Sequence, residues 1–510
     1  MSSATGGYVS GIDYLYDFQP ETSPLRVEMA LLGAGIAPPR IATACELGFG
    51  QGLGVNIHAA AQDVRWYGTD FNPVQVGFAR QLAAASGADV QLCDQSFAEF
   101  CARPDLPDFD LIVLHGVWTW INHENQALLV DFLRRKLAAG GVACISYNVQ
   151  PGFSELIPLH AVLMGHAAAF GRSGAALAPQ VGAALEFAER VLAVSPGYMG
   201  GHPRVLDLLR SMRAYDRRYL AHEYLNANWA PTSFARVAEA LAGAGLKFAC
   251  SPGVPQSPAS LELSMEQRAL LAQIPDQSYR EVVRDLMVNR RFRIDYWVKG
   301  ARRLDAPERI ERLLGRRVML VRQPAEAQAG FAKAYSAPFH PALTAVIGAL
   351  ADHRPRPLAE LCDALAPALD AAQLCAATVA LVDLEAVAAV QGDAPAQAAR
   401  PRTDELNALL RATALRGADV RALASPVTGT GYAADGGRIA LFFLDAMVRG
   451  LREPRALAAH ALGIFRALGI GLFRDGQPIG SPDESLALVT AQSQYFLDRQ
   501  LPLLRALWIA

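Results

Sequence analysis

The sequence Glu46-Leu47-Gly48-Phe49-Gly50-Gln51-Gly52 directly follows a short apolar run that begins at Ile41. A glycine-rich turn between a strand and a helix lets the backbone approach a ligand closely, and the next helix offers free N–H groups to an anion. A dinucleotide site would require Gly-x-Gly-x-x-Gly, but the sixth position is Leu53 counted from Gly48 and Val55 counted from Gly50. The turn therefore predicts a ligand site without the NAD pattern, and by itself it is equally compatible with a structural turn.

Short apolar runs recur after this turn and alternate with segments of helical spacing. They are Trp66 to Thr69, Val90 to Cys93, Leu111 to Leu114 and Val142 to Tyr147. Strands that alternate with helices predict βαβ units and a parallel sheet. Two later runs, Leu246 to Cys250 and Phe292 to Val298, are candidates for further strands of the same sheet. The Ala- and Leu-rich residues 155–240 are then predicted to form a helical insertion.

Asp70 ends the second predicted strand and lies 24 residues after Glu46. In Rossmann-like sites an acidic side chain at about this distance binds ribose hydroxyls. A helix N-cap is the alternative role for Asp70, but its position favours ribose binding, with Phe71 and Asn72 along the same edge.

The pattern Glu-x-Gly-x-Gly-x-Gly resembles the first motif of class I methyltransferases, in which the amino-acid end of S-adenosylmethionine lies over the glycines. The resemblance implies a Rossmann-like α/β fold, S-adenosylmethionine as cofactor and S-adenosylhomocysteine as product. The cofactor contacts that it assigns to the turn are Glu46, Gly48, Phe49, Gly50 and Gly52.

The segment Asp94-Gln95-Ser96-Phe97 follows the third predicted strand. Class I methyltransferases contact the adenine amino group here and place an apolar side chain on the ring, so the resemblance assigns all four residues to the cofactor. A helix cap would explain Asp94 almost equally well. The cofactor prediction depends on the ordered series at successive strand ends more than on any one motif.

The loop His115-Gly116-Val117-Trp118-Thr119-Trp120 follows the fourth predicted strand. It opens onto the carboxyl edge of the sheet, where ligands bind in open α/β folds. We expect His115, Gly116 and Val117 to contact the cofactor. Aromatic faces attract cations, so Trp118 and Trp120 are expected on the substrate side, beside the sulfonium. A buried hydrophobic loop is the alternative.

Three segments together resemble bacterial methyltransferases that carry a methyltransferase regulatory domain. They are the His115 loop, the stretch Ser146 to Phe153, and His222-Glu223-Tyr224-Leu225 followed by Phe234. That family includes the rickettsial protein lysine methyltransferases of the outer-membrane protein OmpB. The resemblance extends over about Tyr14 to Lys299 and implies methylation of lysine side chains in a protein.

Two departures from that family leave the methyl acceptor open. Trp118-Thr119 stands where an aromatic-Ser pair is expected, and Pro151-Gly152-Phe153 where Pro-Gly-Trp is expected. A small molecule or a glycan is therefore the alternative acceptor. A non-catalytic protein that only binds the cofactor is a further alternative.

A lysine nucleophile must lose a proton, and its unperturbed pKa of about 10.4 makes that loss costly at neutral pH. Desolvation or a nearby base would help. The candidate catalytic residues are Tyr14, Tyr16, His115 and Tyr147, and Asn148 is a candidate substrate contact. For the two N-terminal tyrosines, an aromatic anchor of the N-terminal arm is the alternative role.

The chain is predicted to divide into four regions. They are an N-terminal lid and cofactor-binding core (1–155), a helical insertion or regulatory region that returns the final strands to the sheet (156–302), a winged-helix-like domain (303–400) and a mostly α-helical C-terminal domain (401–510). The helices predicted for the third region are Pro341 to His353, Leu358 to Ala366 and Asp370 to Ala388.

Several features argue against a nucleic-acid partner. No Lys or Arg lies between Pro357 and Ala399, although phosphate binding needs cations. The net charge of -2 provides no global attraction to nucleic acid. No Asn-Pro-Pro-Tyr sequence follows the fourth predicted strand, where enzymes that methylate nucleic-acid amino groups place it.

The remaining features predict a cytoplasmic protein without a bound metal. The N-terminus lacks the basic and apolar regions of a signal peptide. The apolar stretch Leu156 to Phe170 is too short to span a bilayer, which requires about 20 residues. The seven cysteines are scattered without a Cys-x-x-Cys pair, which argues against both a disulfide framework and a zinc site. The sequence does not determine the oligomeric state.

Overall fold

The chain is described from a computed structural model over residues 14–171, 177–253, 260–434, 436–474 and 477–510. The beginning of the predicted N-terminal lid region, residues 1–13, lies outside the described residues. Residues 172–176 of the predicted helical insertion also lie outside them.

A seven-stranded sheet forms the centre of the N-terminal part of the fold. Its strands are β1 (Thr43–Leu47), β2 (Arg65–Asp70), β3 (Val90–Asp94), β4 (Phe109–Leu114), β5 (Leu137–Asn148), β6 (Leu246–Cys250) and β7 (Phe292–Lys299). Their order is β3-β2-β1-β4-β5-β7-β6; β1 to β5 are parallel, and β7 is antiparallel to both of its neighbours. The predicted α/β class and both late strands are confirmed. The strand order reverses between β1 and β4, where open α/β folds bind their ligands.

Hydrophobic cores lie on both faces of the sheet because apolar side chains alternate along its strands. The first five helices are α1 (Pro24–Gly33), α2 (Leu53–Ala61), α3 (Pro73–Ser86), α4 (Phe97–Cys101) and α5 (His123–Lys136). Residues of α1 to α3 belong to one core, and residues of α4 and α5 belong to the other.

The predicted helical insertion between β5 and β6 is confirmed. Its helices are α6 (Ile157–Phe170), α7 (Leu177–Ala193), α8 (Pro196–Gly201), α9 (Val205–Ser211), α10 (Arg217–Tyr224) and α11 (Phe234–Ala242). Two more, α12 (Met265–Ala272) and α13 (Gln277–Met287), precede β7. The insertion has a core of its own, which Trp120 and Phe153 join from the sheet edge. This core brings α10 to the carboxyl end of β5.

A small three-stranded sheet and five helices follow β7. They are α14 (Ala306–Leu314), β8 (Arg317–Leu320), α15 (Pro324–Ala334), α16 (His340–Ala349), β9 (Arg356–Pro357), α17 (Leu358–Leu365), α18 (Ala371–Asp383) and β10 (Val387–Val390). The three helices predicted here correspond to α16, α17 and α18. The last of them ends at Asp383, before the predicted Ala388, because residues from Val387 onward pair with β8. The winged-helix-like character of this region stays a prediction.

The C-terminal region is mostly helical, as predicted. Its elements are α19 (Asp393–Leu415), β11 (Ala422–Ser425), β12 (Thr430–Ala433), α20 (Arg438–Val448), α21 (Pro454–Ala467), β13 (Phe473–Arg474), β14 (Gln477–Pro478), α22 (Pro482–Tyr495) and α23 (Leu501–Ala506). The continuous helix α19 crosses the boundary predicted between residues 400 and 401, so no break lies there.

The C-terminal region packs directly on the helix that follows the glycine turn. Leu53 and Ile57 of α2 share a core with Leu406 and Leu410 of α19. Arg402 Nε also donates to the carbonyl oxygen at residue 60, over 3.1 Å. The C-terminal region therefore helps to hold α2, and with it the glycine turn, in place.

A buried charge cluster joins β5 to β7. The Tyr147 hydroxyl donates to Asp295, whose carboxylate also accepts from Arg293 Nε over 2.8 Å. Arg293 Nη1 donates to Asp285 over 2.7 Å. Asp295 is fully buried and Arg293 is 3% exposed, so each charge depends on its partners.

Removing one member of this cluster should destabilise the sheet. Breaking a buried ion pair costs about 3–5 kcal/mol because the remaining charge stays buried without its partner. We expect Asp295→Ala to lower the urea midpoint of unfolding clearly. Glu308→Ala, which breaks an exposed pair with Arg302, is the control with a much smaller effect. Equal midpoints for the two variants would contradict a stabilising role of the cluster.

Among the described residues, no helix combines the length and the apolar character needed to cross a membrane.

Candidate active site

The glycine turn after β1 has the open backbone that its sequence predicts. Gly48, Gly50 and Gly52 have φ values of 79°, 57° and 71°, a region that side-chain-bearing residues rarely adopt. A Cβ at Gly52 would lie 2.5 Å from the Cβ of Ala79 on α3, and a Cβ at Gly48 would lie 2.7 Å from the Val117 side chain. The turn therefore requires glycine for both conformation and space.

Asp70 lies at the end of β2, and its carboxylate is held beside the glycine turn. Its Oδ2 accepts from the Gly50 N–H over 2.9 Å, and its Oδ1 accepts from the Asn72 N–H over 3.0 Å. Burial raises the pKa of Asp70 to about 6, although these hydrogen bonds partly offset the effect. Asn72, and not Asp70, caps α3, since its side chain accepts from the Val74 N–H. The alternative N-cap role of Asp70 is thus taken by Asn72.

A pocket of about 110 Å³ opens at the carboxyl edge of the sheet. Its wall includes eleven of the predicted site residues: Tyr14, Gly48, Gly50, Asp70, Phe71, Asn72, Phe97, His115, Gly116, Val117 and Trp120. A smaller pocket of about 60 Å³ shares Tyr14, Gly48, Gly50 and His115 with it and adds Glu46 and Phe49. The structure therefore brings residues from four strand ends and the N-terminal segment together.

The segment after β3 contributes to this pocket mainly through Phe97. Ser96 caps α4 in a capping box with Glu99, and Asp94 is exposed beside Asp70, its register partner. The Gln95 side chain has a buried Oε1 without a hydrogen-bond partner. Adenine contacts by Asp94, Gln95 and Ser96 stay a prediction.

The His115 loop divides between the pocket and the core. Gly116 donates to the Ser146 hydroxyl over 2.7 Å, which holds the loop against β5. Trp120 lines the pocket, whereas Trp118 is 3% exposed and packs in the core under the sheet. The predicted aromatic wall therefore reduces to Trp120, because the Trp118 ring is turned into the core. Burial lowers the pKa of His115 to about 4, so its ring is neutral at physiological pH.

The four candidate catalytic residues do not all meet at the pocket. Tyr14 lies over the glycine turn, with its ring 3.2 Å from the place of a Cβ at Gly50, and His115 faces the same pocket. Tyr16 instead packs edge-on against Phe78 of α3, with ring centroids 5.3 Å apart. Tyr147 is fully buried, and its hydroxyl is bound to Asp295 in the core. The structure thus separates Tyr16 and Tyr147 from the pocket.

The sequence reasoning did not select the carboxylate of Glu223 on α10. It is 6% exposed, and its Oε1 accepts from Nδ2 of Asn148, the last residue of β5, over 2.9 Å. Burial raises the pKa of Glu223 to about 7, with the bond from Asn148 acting in the opposite direction. The ring of the neighbouring His222 contacts Tyr14 edge-on, with centroids 4.9 Å apart. The quoted segment His222 to Leu225 contained the signal, but no spacing rule linked it to the pocket.

The negative charge of Glu223 also acts on Tyr14. Burial is the main reason why the pKa of Tyr14 is raised, and the charges of Asp17, Glu223 and Asp70 raise it further. Tyr14 therefore carries its proton at physiological pH. The residues that line the two pockets and that the sequence reasoning missed include Gln75, Ile121, Asn125, Asp17 and Gln51.

Within the part of the chain that the structure describes, no cluster of three or more His, Cys, Asp or Glu side chains could hold a metal ion.

Comparisons with known proteins bear on the class of the protein. The family model of a methyltransferase domain matches residues 44–141, and that of a predicted methyltransferase regulatory domain matches residues 216–299. An uncharacterized protein of Synechocystis sp. is 29% identical over 517 aligned residues, which cover 99% of each chain. An uncharacterized protein of Rickettsia prowazekii is 29% identical over 38% of this chain and 76% of its own length.

A solved structure shares almost the whole fold. It is PKMT2 from Rickettsia typhi in complex with AdoHcy, which aligns with a TM-score of 0.65 at 16% identity and covers 97% of this chain and 99% of that one. The sheet, the glycine turn and the matched domain together define a class I, S-adenosylmethionine-dependent methyltransferase. More particularly, the chain is a methyltransferase that carries the predicted methyltransferase regulatory domain. The predicted enzyme class and cofactor are confirmed.

The residues of the pocket fit S-adenosylmethionine. Gly48 and Gly50 line the pocket without side chains, which leaves the backbone of the turn open to a ligand. Asp70 places a carboxylate at the end of β2, and His115 has a buried Nδ1 that finds no hydrogen-bond partner among the described residues.

Cofactor binding should depend on pH through Glu46. Burial, followed by the charge of Asp70, raises the pKa of Glu46 to about 8, so this carboxyl is largely protonated at lower pH. The cofactor carries positive charges, and a nearby cation lowers the pKa of a carboxyl. Binding should therefore release a proton, and affinity should rise with pH up to about 8 and then level off. Calorimetry in buffers of different ionisation enthalpy measures this release, and Glu46→Gln should abolish it. A wild-type affinity that falls over this pH range would refute the assignment.

Proposed function

We propose that the enzyme transfers the methyl group of S-adenosylmethionine to the amino group of lysine side chains in a protein substrate. The observation that carries this proposal is the buried Glu223 carboxylate, held by Asn148 at the end of β5 and acting on Tyr14 over the glycine turn. With a pKa of about 7, Glu223 can attract a lysine ammonium and then accept its proton. A carboxylate acceptor is already ionised at neutral pH and would be repelled by a buried anion.

The chain's own groups would act mainly by placement and by charge. When bound, S-adenosylmethionine supplies an activated methyl group to a nucleophile in line with it. Trp120 and Tyr14 line the pocket with aromatic faces, which suit a cationic neighbour. Tyr14 and neutral His115 exclude water from the cleft, and Glu223 takes the lysine proton so that the nitrogen lone pair becomes free.

The assignment of cofactor contacts belongs to the same proposal. We assign Glu46, Gly48, Phe49, Gly50 and Gly52 to the amino-acid end, Asp70, Phe71 and Asn72 to the ribose, Asp94 to Phe97 to adenine, and His115 to Val117 to the floor of the cleft. We also propose domain boundaries near residues 155 and 302. The boundary predicted between residues 400 and 401 is placed before α19 instead. A cytoplasmic location stays a prediction from the sequence.

The relatives support a protein substrate. The resemblance extends to the rickettsial protein lysine methyltransferases, and PKMT2 of Rickettsia typhi shares the helical appendages as well as the sheet, since the alignment covers 97% of this chain. Helical appendages of this extent offer a surface that can bind a folded protein acceptor. An enzyme that methylates a small molecule does not need such a surface.

Transfer of label from radioactive S-adenosylmethionine tests the proposal. The purified enzyme is incubated with protein and with small-molecule fractions of the same lysate, followed by acid hydrolysis and amino-acid analysis. We expect label in methylated lysine from the protein fraction. Label confined to small molecules would overturn the lysine assignment and favour the alternative acceptors. Protein label that is lost when methyl esters are hydrolysed would overturn it as well. A variant with Asp70→Ala serves as the blank.

A further inference from the structure

A second cavity, larger than the pocket at the sheet edge, lies on the other side of the N-terminal segment. Its volume is about 370 Å³, and we call it the hairpin cavity. Residues 18–26 form one wall, residues of β10 and the end of α18 form another, and the β11–β12 hairpin (residues 428–433) closes it. Ligand cavities in proteins usually have about 300–1,000 Å³, so it has room for a small organic molecule.

Two residues of this wall carry buried hydroxyls that have no hydrogen-bond partner among the described residues. They are Ser23 and Thr428. Ser23 and Thr428 are only 1% and 3% exposed, and Ser23 caps α1 by position without a side-chain hydrogen bond. A buried hydroxyl without a partner costs free energy, so such groups are normally satisfied by a ligand or by water. Both residues line the same cavity, which marks it as a candidate binding site.

The charged side chains of the cavity compensate one another. Arg26 lies 3.4 Å from Glu385 and 4.0 Å from Glu21, and Arg322 lies 3.5 Å from Glu385. Two cations and two anions leave no net charge. The rest of the wall is largely apolar, as with Phe18, Val387 and Ala388. An ionised ligand would need a buried counter-charge, but the buried charges of Arg26 and Glu21 are already compensated within this wall.

The wall of the hairpin cavity is continuous with the wall of the cofactor site. Gln19 lines both cavities, and Thr22 lines the smaller pocket beside Glu46. The Thr22 hydroxyl lies 2.9 Å from His58 Nε2, and Thr430 of the hairpin lies 3.3 Å from His58 Nδ1. The Phe18 ring packs so closely on the hairpin that a Cβ at Gly431 would lie 2.6 Å from it. One short segment thus serves both sites.

We propose that the hairpin cavity binds a small, uncharged, largely apolar molecule with a hydrogen-bonding group, and that this binding strengthens cofactor binding. The molecule packs against residues 18–26 and stabilises the conformation in which Tyr14 to Thr22 cover the glycine turn. Because coupling between two sites is reciprocal, the cofactor product strengthens binding in the cavity by the same factor. The inference does not depend on the identity of the methyl acceptor.

The experiment uses the full-length enzyme and the fluorescent probe N-phenylnaphthylamine, which is uncharged and has a single N–H donor. We expect one probe molecule per chain, and an affinity for S-adenosylhomocysteine at least about fivefold higher at saturating probe, the lower end of common allosteric couplings. Anilinonaphthalene sulfonate has a similar ring system with a negative charge and should bind at least about tenfold more weakly. Absence of saturable binding of the neutral probe would overturn the site. Equal binding of both probes would overturn the charge argument, and an unchanged product affinity would overturn the coupling.

Two variants locate the site. Ala433→Trp fills the cavity from an exposed position at its rim and should abolish probe binding, whereas Ala102→Trp, at the exposed alanine that follows α4, should not. Thr428→Val keeps the shape of the side chain and removes its buried hydroxyl. It should weaken binding of the neutral probe by about threefold to tenfold without lowering the thermal stability of the enzyme. In both cavity variants, binding of S-adenosylhomocysteine without probe should persist, which shows that the enzyme is folded. Probe binding that is the same in Ala433→Trp as in wild type would place the molecule elsewhere and refute the proposal.

Discussion

Asp70→Ala is expected to weaken S-adenosylhomocysteine binding by about 100-fold. The wild-type carboxylate at the end of β2 is positioned by the N–H groups of Gly50 and Asn72 and would accept both ribose hydroxyls. A hydrogen bond to a charged group is worth about 1.5–3 kcal/mol, and 1.4 kcal/mol is a factor of ten, so two such bonds account for the loss. The substitution also frees the Gly50 N–H, which loosens the turn.

Calorimetric titration with S-adenosylhomocysteine measures this loss, and thermal unfolding checks that the variant is folded. Asp70→Asn keeps an acceptor oxygen and should retain an intermediate affinity. Asp89→Ala is the matched control, because Asp89 precedes the neighbouring strand but is exposed and pairs with Arg65. If Asp70→Ala bound the product within threefold of wild type, the placement of the cofactor along β2 would have to be abandoned.

Glu223→Gln is expected to lower kcat by about 100-fold or more while leaving the affinity for S-adenosylhomocysteine unchanged. General-base catalysis contributes about 10²–10⁴-fold, and glutamine keeps the shape of the side chain and an oxygen for Asn148 but cannot accept a proton. The wild-type rate should increase as the pH rises through about 7, because Glu223 is protonated below its pKa and ionised above it. This increase should disappear in the variant.

Steady-state kinetics over the pH range, with the protein acceptor found by label transfer, check this prediction. Glu239→Gln on α11 is the control, since Glu239 is exposed. A variant that loses cofactor affinity in proportion to kcat would indicate a structural role for Glu223. Unchanged kcat with an unchanged pH profile would remove it from the mechanism.

Patterns in the sequence predicted the structure well where that structure depends on residues close together along the chain. The five early strands, the two late strands and the helical insertion were predicted from periodicity and are present. The three motif glycines have positive φ, as a turn that approaches a ligand requires. These features depend on backbone geometry and on alternation within a few residues.

Prediction was less successful where the direction of a side chain mattered. Tyr147 and Asn148 are adjacent at the end of β5, yet successive residues of a strand point to opposite faces. Tyr147 therefore enters the core and meets Asp295, while Asn148 reaches Glu223. Trp118 and Trp120 are separated in a similar way by the turn of their loop. Tyr16 packs against Phe78 of α3 and so does not reach the pocket.

The sequence by itself determined the sheet, the glycine turn and the series of residues at strand ends, and hence the methyl donor. Strand and turn propensities act over short distances, so they can be read along the chain. Only the tertiary structure decided that Glu223 lies beside Asn148, 75 residues away, and that Thr22 and Thr430 of the hairpin both lie within hydrogen-bonding distance of His58. Such contacts come from the packing of α10 and of the C-terminal region, which depends on the shape of whole surfaces. For this reason the series of residues at successive strand ends, which resembles that of class I methyltransferases, identifies the cofactor, whereas the acceptor and any regulation depend on contacts between distant segments.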